Sequence, residues 1–119
     1  MNIFALNYQL KMATYRTIRE QIYKYKDKYP VIALTGPRQS GKTTLLKKLF
    51  PEYKYLSLEN PDTRQYAVSD PNGFLNEFKE GVILDEVQRA PHLFSYIQQI
   101  VDDSNEMGKY ILSGSQNFH

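Results

Sequence analysis

The chain has 119 residues, a formal net charge of +2 and no cysteine; 24% of its residues are charged and 41% are hydrophobic. This balance is typical of one globular domain, and the lack of cysteine excludes disulfides and thiolate metal sites. No stretch approaches the roughly 18 consecutive apolar residues of a membrane-spanning helix, so we expect no membrane segment.

The N-terminal stretch MNIFALNYQLK has neither the charged start nor the small-residue cleavage site of a secretory signal peptide. We treat residues 1–11 as an N-terminal extension, and either Met1 or Met12 is the natural start. The predicted domain comprises residues 12–119.

Residues 13–29 have the periodicity of an amphipathic helix. The members of its apolar stripe lie three and four positions apart: Tyr15, Ile18, Ile22, Tyr25 and Tyr29. We expect this stripe to pack against a sheet, although it could also fit the groove of a partner. Acids interrupt the basic residues of the opposite face, which favours a solvated surface over a nucleic-acid contact.

The next segment combines a short apolar strand, VIAL at 31–34, with the sequence GPRQSGKTT and an amphipathic helix. This is the G-x-x-x-x-G-K-[ST] pattern of a P-loop, the Walker A motif. Backbone N–H groups of such a loop cradle phosphates, its lysine reaches the β- and γ-phosphates, and its threonine hydroxyl ligates Mg²⁺. The predicted nucleotide-binding residues are Gly36, Pro37, Arg38, Gln39, Ser40, Gly41, Lys42, Thr43 and Thr44. Among them, Lys42 is also a candidate catalytic residue and Thr43 the first candidate metal ligand.

One strand and two short helices are predicted before the next apolar run. YKYLSLE at 53–59 alternates like a strand, and Asn60 followed by Pro61 is typical of a helix start. We expect that helix to end near Val68 and a second one to cover 72–79.

The apolar run VIL at 82–84 predicts a buried strand that ends in two acids, Asp85 and Glu86. Ligands of open α/β sheets bind outside the carboxyl ends of the strands, so both carboxylates should face the P-loop. Asp85 is the predicted second metal ligand, or Walker B residue, and Glu86 the base that activates water. A helix is predicted to follow, with His92 at its start.

Three motifs together resemble the AAA-type ATPase domain of a group of bacterial and archaeal proteins. They are the P-loop, DEVQRAP at 85–91 and YILSGSQNF at 110–118. The resemblance runs from about Met12 to the last residue, and it implies ATP and Mg²⁺ as ligands. In that group the ATPase domain is generally followed by a further C-terminal domain.

The resemblance also implies a polar sensor residue at the end of the fourth strand. Ser113 or Ser115 would fill that place, and Gln116 and Asn117 are next in line. An arginine finger, if this chain carries one, would be Arg38 or Arg89.

The alternation of strands and helices predicts an α/β fold, a three-layer P-loop NTPase sheet with right-handed parallel crossovers. Because the acids follow the third predicted strand rather than the second, the sheet resembles the additional-strand type, with order 5-1-4-3-2. The chain ends after the fourth predicted strand, so we expect a domain truncated at its C-terminus. The strand at 31–34 would then be exposed at one edge of the sheet.

Three functional interpretations remain open. The first is Mg²⁺-dependent ATP hydrolysis, the second a nucleotide-binding switch with little or no turnover, and the third a partner-binding fragment. The third is disfavoured because a fragment of that kind has no need for Lys42, Thr43, Asp85 and Glu86 together. We expect a cytoplasmic location, where ATP is available, and self-association or a protein partner through a missing C-terminal region. Nucleic acid is possible but unsupported, and no membrane partner is expected.

Overall fold

The computed structural model describes residues 5–9, 15–37 and 41–115. Within these ranges the strands are β1 (Ala5–Gln9), β2 (Val31–Thr35), β3 (Lys54–Ser57), β4 (Val82–Asp85) and β5 (Tyr110–Gly114). All neighbouring strands run parallel, and the five-stranded sheet has the order β1-β2-β5-β4-β3. The prediction of an α/β fold with a parallel sheet is therefore confirmed.

Along the chain, helices connect each strand to the next, as parallel strands require. They are α1 (Tyr15–Tyr25), α2 (Lys42–Leu49), α3 (Pro61–Ser69), α4 (Pro71–Leu75), a 3₁₀ helix (Val87–Arg89) and α5 (Leu93–Asp102). Helix α1 ends at Tyr25, earlier than predicted: residues 26–28 form a turn, and Tyr29 precedes Pro30, a position that disfavours the helical conformation. The start of α3 is confirmed: the Asn60 side chain accepts hydrogen bonds from the N–H groups of Asp62 and Thr63 at 2.9 and 3.2 Å.

Strand β2 is buried throughout because helices cover both faces of the sheet. Val31 and Ala33 belong to a core with residues of α3, α4 and α5, whereas Ile32 and Leu34 belong to a second core with residues of α1 and α2. A strand buried on both faces reads as a continuous apolar run, which is why VIAL shows no polar alternation. The predicted stripe of α1 packs on the sheet through Ile18 and Ile22.

Strand β1 was not predicted. It pairs with β2 along its whole length, from Ala5 opposite Val31 to Gln9 opposite Thr35. The expectation that β2 would be an exposed edge is therefore wrong: β1 lies where the predicted order has a fifth strand. Residues 5–9, which we assigned to an N-terminal extension, form part of the sheet.

The carboxyl ends of β2, β4 and β5 lie side by side, because the three strands are adjacent and parallel. The segments that leave them begin at Gly36, Glu86 and Ser115. The first of these segments is joined to the end of β5, since the Gly36 N–H donates to the Gly114 carbonyl at 3.3 Å. Among the described helices, none has the length and apolar character needed to cross a bilayer.

Candidate functional site

The site lies at the shared carboxyl edge of the sheet, where β2 leads into α2. Gly41 precedes the first residue of α2 and has a φ of +86°, a conformation that glycine adopts without the steric cost of a Cβ. Its carbonyl accepts the N–H of Leu45 at 3.0 Å. The loop therefore turns directly into the N-terminus of α2, whose unpaired N–H groups and positive dipole end favour an anion.

Thr43, in the first turn of α2, lies against the end of β4. Its hydroxyl donates a hydrogen bond to Asp85 Oδ2 at 3.0 Å. The Tyr55 hydroxyl, from β3, donates to the same oxygen at 2.7 Å. Donors from two elements, α2 and β3, thus meet at one carboxylate oxygen of β4.

The other oxygen of Asp85 is held by its own pair of donors. Asp85 Oδ1 accepts the Ser113 hydroxyl at 2.7 Å and the Glu86 N–H at 2.9 Å. Burial alone would raise the pKa of Asp85, but hydrogen bonds from Ser113, Tyr55 and Thr43 outweigh it and lower the pKa below its ordinary value. Burial and the bond to Asp85 raise the pKa of Tyr55 instead. Asp85 is therefore a fixed, ionised carboxylate.

Lys42 and Glu86 form a buried ion pair beside Asp85. Lys42 Nζ lies 3.9 Å from Glu86 Oε1, and each side chain is only 6% exposed. Charges withdrawn from water in this way need compensation, which the pair supplies. The arrangement places one cation and two carboxylates within the same small, water-poor region.

Glu86 also has an unusual backbone conformation. Its φ of 52° and ψ of 44° make it, among the described residues, the single non-glycine residue with a positive φ. Its Oε2 accepts hydrogen bonds from Gln88 Nε2 at 2.8 Å and from the Ser115 hydroxyl at 3.1 Å. A strained backbone persists where its surroundings over-determine it, and such positions cluster at functional sites.

Comparison with known proteins decides the family. A family model described as an AAA domain matches residues 28–119. The chain belongs to this AAA-domain family. The match suggests an ATPase-like, nucleotide-binding function for the domain.

Two curated relatives match the AAA domain in sequence. An uncharacterized protein of Mycobacterium tuberculosis and one of Mycobacterium bovis are each 39% identical over 90 residues, 72% of this chain and 20% of theirs. The chain thus spans about a fifth of the length of the curated relatives it matches. No solved structure matches.

The structure brings together most of the residues predicted for the site, but not all of them are described. Lys42, Thr43, Asp85, Glu86 and both candidate sensors, Ser113 and Ser115, share one hydrogen-bonded cluster. Gly36, Pro37, Gly41 and Thr44 lie in the loop or in the first turn of α2, where Pro37 and Thr44 are exposed. Outside the described residues lie Arg38, Gln39, Ser40, Gln116 and Asn117.

Arg89, a candidate arginine finger, lies at the end of the 3₁₀ helix. Its Nη2 is 3.7 Å from Glu59 Oε1, and both side chains are more than 40% exposed. A role for Arg89 in catalysis stays a prediction. Arg64, in α3, donates to the Leu58 carbonyl at 3.2 Å and so supports the turn after β3.

Sequence analysis missed two residues of the cluster, Tyr55 and Gln88. The resemblance implies that the strand of Tyr55 lies beside the strand that ends at Asp85, but the alternation in YKYLSLE does not tell to which face of the sheet Tyr55 points. Gln88 is part of the DEVQRAP motif, yet only the left-handed turn at Glu86 brings its amide back to the carboxylate. Both contacts depend on tertiary geometry.

The residues present fit a magnesium ion. Thr43 Oγ1 and Asp85 Oδ2 are adjacent oxygen donors, and Mg²⁺ prefers oxygen ligands of which the protein supplies only one or two. Across the described ranges, no group of three or more His, Cys, Asp or Glu side chains could hold a metal by itself. Such a group is not required where phosphates and water complete the coordination.

Proposed function

We propose that this domain binds ATP with Mg²⁺ and hydrolyses it by in-line attack of water. The observation that carries the proposal is the pair of contacts between α2 and β4: Thr43 with Asp85, and Lys42 with Glu86. Phosphoryl transfer needs positioning and charge neutralisation more than covalent chemistry. A buried lysine, a hydroxyl and two carboxylates at a helix N-terminus supply both.

Lys42 is the phosphate-binding cation of the mechanism. In the structure it neutralises Glu86, and on nucleotide binding it turns to the β- and γ-phosphates, which carry more negative charge. The N–H groups at the start of α2 hold the same phosphates through their dipoles. When Lys42 turns from the carboxylate to the phosphates, Glu86 loses this ion pair.

Thr43 and Asp85 hold the metal. The Thr43 hydroxyl donates its hydrogen to Asp85 Oδ2 and keeps lone pairs on its oxygen, so Thr43 would ligate the ion while Asp85 orients the hydroxyl. An ion held there would supply positive charge against the charge that develops on the phosphates. Ser113 acts only through Asp85, because its hydroxyl holds the opposite oxygen.

Glu86 is the base that accepts the proton of the attacking water. Gln88 and Ser115 both donate to Glu86 Oε2, whereas Oε1 faces Lys42. We assign the proton-accepting role to Oε1, which loses this ion pair when Lys42 turns to the phosphates. Ser115 is in the better position for the sensor role, because it contacts Glu86 directly whereas Ser113 contacts Asp85.

A cytoplasmic location follows from the use of ATP.

The second candidate function is a nucleotide-binding switch. The Lys42–Glu86 ion pair favours the switch, because Glu86 can act as a base only after Lys42 is displaced from it. Binding without phosphate release by the wild-type chain would support the switch, whereas release in repeated turnovers supports the ATPase.

The test compares Glu86→Gln with the wild-type chain in ATP binding and phosphate release. Loss of a general base lowers rates by about 10²- to 10⁴-fold, so release should fall by that factor while ATP affinity is retained. Glu80→Gln, which removes one exposed carboxylate outside the cluster, is the matched control. An unchanged release rate in Glu86→Gln would exclude Glu86 as the base.

A further inference from the structure

Tyr55 connects the helix that carries Thr43 to the strand that carries Asp85. It lies on β3, at the far edge of the sheet, and its half-buried ring packs against the core formed with α1 and α2. Lys47 of α2 places its Nζ 4.1 Å from the centre of that ring. The Tyr55 hydroxyl, at the other end of the ring, reaches Asp85 Oδ2 at 2.7 Å.

The hydroxyl acts on the oxygen that faces the predicted metal position. Oδ2 accepts from Thr43 and Tyr55, while Oδ1 is occupied by Ser113 and the Glu86 N–H. Without Tyr55, the 3.0 Å bond from Thr43 is the one side-chain bond to Oδ2 that remains within residues 15–37 and 41–115. That bond is the longest of the four, and Thr43 must also offer its oxygen to the metal.

We propose that Tyr55 is a positioning residue for magnesium: its hydroxyl holds Asp85 Oδ2 beside Thr43, and its ring is fixed by Lys47 of α2. This inference rests on the proposed Mg²⁺–ATP site. Partners that orient metal ligands without touching the metal generally change metal affinity by about 10- to 100-fold when removed. Tyr55 acts through Asp85. Removal of its hydroxyl should therefore raise the Mg²⁺ concentration required for binding and leave the affinity of the P-loop for phosphates unchanged.

The experiment titrates Mg²⁺ into Tyr55→Phe in the presence of a fluorescent ATP analogue. The phenylalanine keeps the ring and its contact with Lys47, so only the hydroxyl is lost. We expect the Mg²⁺ concentration at half-maximal binding to rise about tenfold. Analogue affinity in EDTA should stay within about twofold of the wild-type value, because Lys42 and the loop are unchanged.

Tyr53→Phe is the matched control. Tyr53 is also half-buried and also donates its hydroxyl, to the Gly108 carbonyl at 2.6 Å, but far from Asp85 along the sheet. Loss of either hydroxyl should lower stability by a similar amount. Only the Tyr55 variant should change the Mg²⁺ midpoint.

A second variant keeps the inference falsifiable if Tyr55→Phe folds poorly. Lys47→Met retains the aliphatic stem on the exposed face of α2 and removes the ammonium over the ring. We expect the Mg²⁺ midpoint to rise by about threefold, in line with the strength of an exposed cation–π contact. A smaller shift in the same direction supports a coupling through the ring.

The outcomes separate this inference from the proposed function. If the wild-type chain binds the analogue with Mg²⁺ dependence and the midpoints of Tyr55→Phe and Lys47→Met equal that of Tyr53→Phe, the positioning role is wrong and the site stands. If the wild-type chain shows no nucleotide binding, the proposed site fails and the role of Tyr55 fails with it.

Discussion

Thr43 and Asp85 lie 42 positions apart in the sequence and are joined by a 3.0 Å hydrogen bond. The bond connects the first turn of α2 to the last residue of β4, two elements that sequence analysis assigned to separate motifs. The contact therefore ties the phosphate-binding loop to the carboxylate edge.

The first prediction concerns stability in acid. Asp85 has a lowered pKa in the folded chain, so it binds fewer protons there than in the unfolded chain. The contribution of Asp85 to the free energy of unfolding is complete above its ordinary pKa of 3.8 and is lost as the pH falls through the lower pKa of the folded chain. Asp85→Asn should cost about 1–3 kcal/mol at pH 7, because four donors lose an anionic acceptor.

Urea denaturation of the wild-type and Asp85→Asn chains between pH 7 and pH 2 measures the contribution of Asp85 to stability. The difference in unfolding free energy between wild type and Asp85→Asn should be constant above about pH 5 and narrow below pH 4. Asp103→Asn, at an exposed position after α5, should show no such difference. A difference in unfolding free energy that stays constant down to pH 2 would refute the assignment of Asp85 as a buried, hydrogen-bonded anion.

The second prediction concerns Gln88. Its amide donates to Glu86 Oε2 at 2.8 Å, and its own Oε1 is buried without a hydrogen-bond partner among the described residues. Gln88→Ala should slow phosphate release by about 10- to 100-fold, because misplacement of a catalytic group costs rate, while nucleotide affinity stays the same.

Gln98→Ala provides the comparison for Gln88→Ala in the same phosphate-release assay. Gln98 makes a similar amide-to-carboxylate bond, to Asp102 Oδ1 at 2.9 Å, on the exposed side of α5. Equal rates in the two variants would show that Gln88 does not position Glu86.

The third prediction concerns the start of α3. Asn60 Oδ1 satisfies two backbone donors of the first turn, so Asn60→Ala should lower the free energy of unfolding by about 1 kcal/mol. Asn60→Gly should lower the free energy of unfolding by only a few tenths of a kcal/mol, since glycine is tolerated at this position. Chemical denaturation of the three chains measures the order, and a glycine variant as unstable as the alanine variant would contradict the capping role.

Local patterns predicted the elements that carry the site. The spacing of Gly36, Gly41 and Lys42 places glycine where the loop turns, and α2 begins at Lys42. The apolar runs before Gly36 and before Asp85 are uninterrupted because helices bury both faces of β2 and β4. Such signals lie within about ten residues of each other, which is the range over which periodicity is informative.

Contacts between distant segments could not be predicted in the same way. The five-residue strand β1 is defined by its pairing with β2, and Ala5 and Val31 are far apart in the chain. Tyr55 meets Asp85 only because β3 lies beside β4 in the sheet, and Gln88 meets Glu86 only because of a left-handed turn. Side-chain direction and backbone strain arise from packing of the whole domain.

The central claim is that Lys42 and its loop bind the phosphates of ATP in this chain. The most direct test titrates the wild-type chain and Lys42→Ala with a fluorescent ATP analogue, with and without Mg²⁺, beside Lys48→Ala on the same helix. We predict tight, Mg²⁺-dependent binding by the wild-type and Lys48→Ala chains and none by Lys42→Ala. Equal binding by Lys42→Ala, or no binding by a folded wild-type chain, would contradict the account.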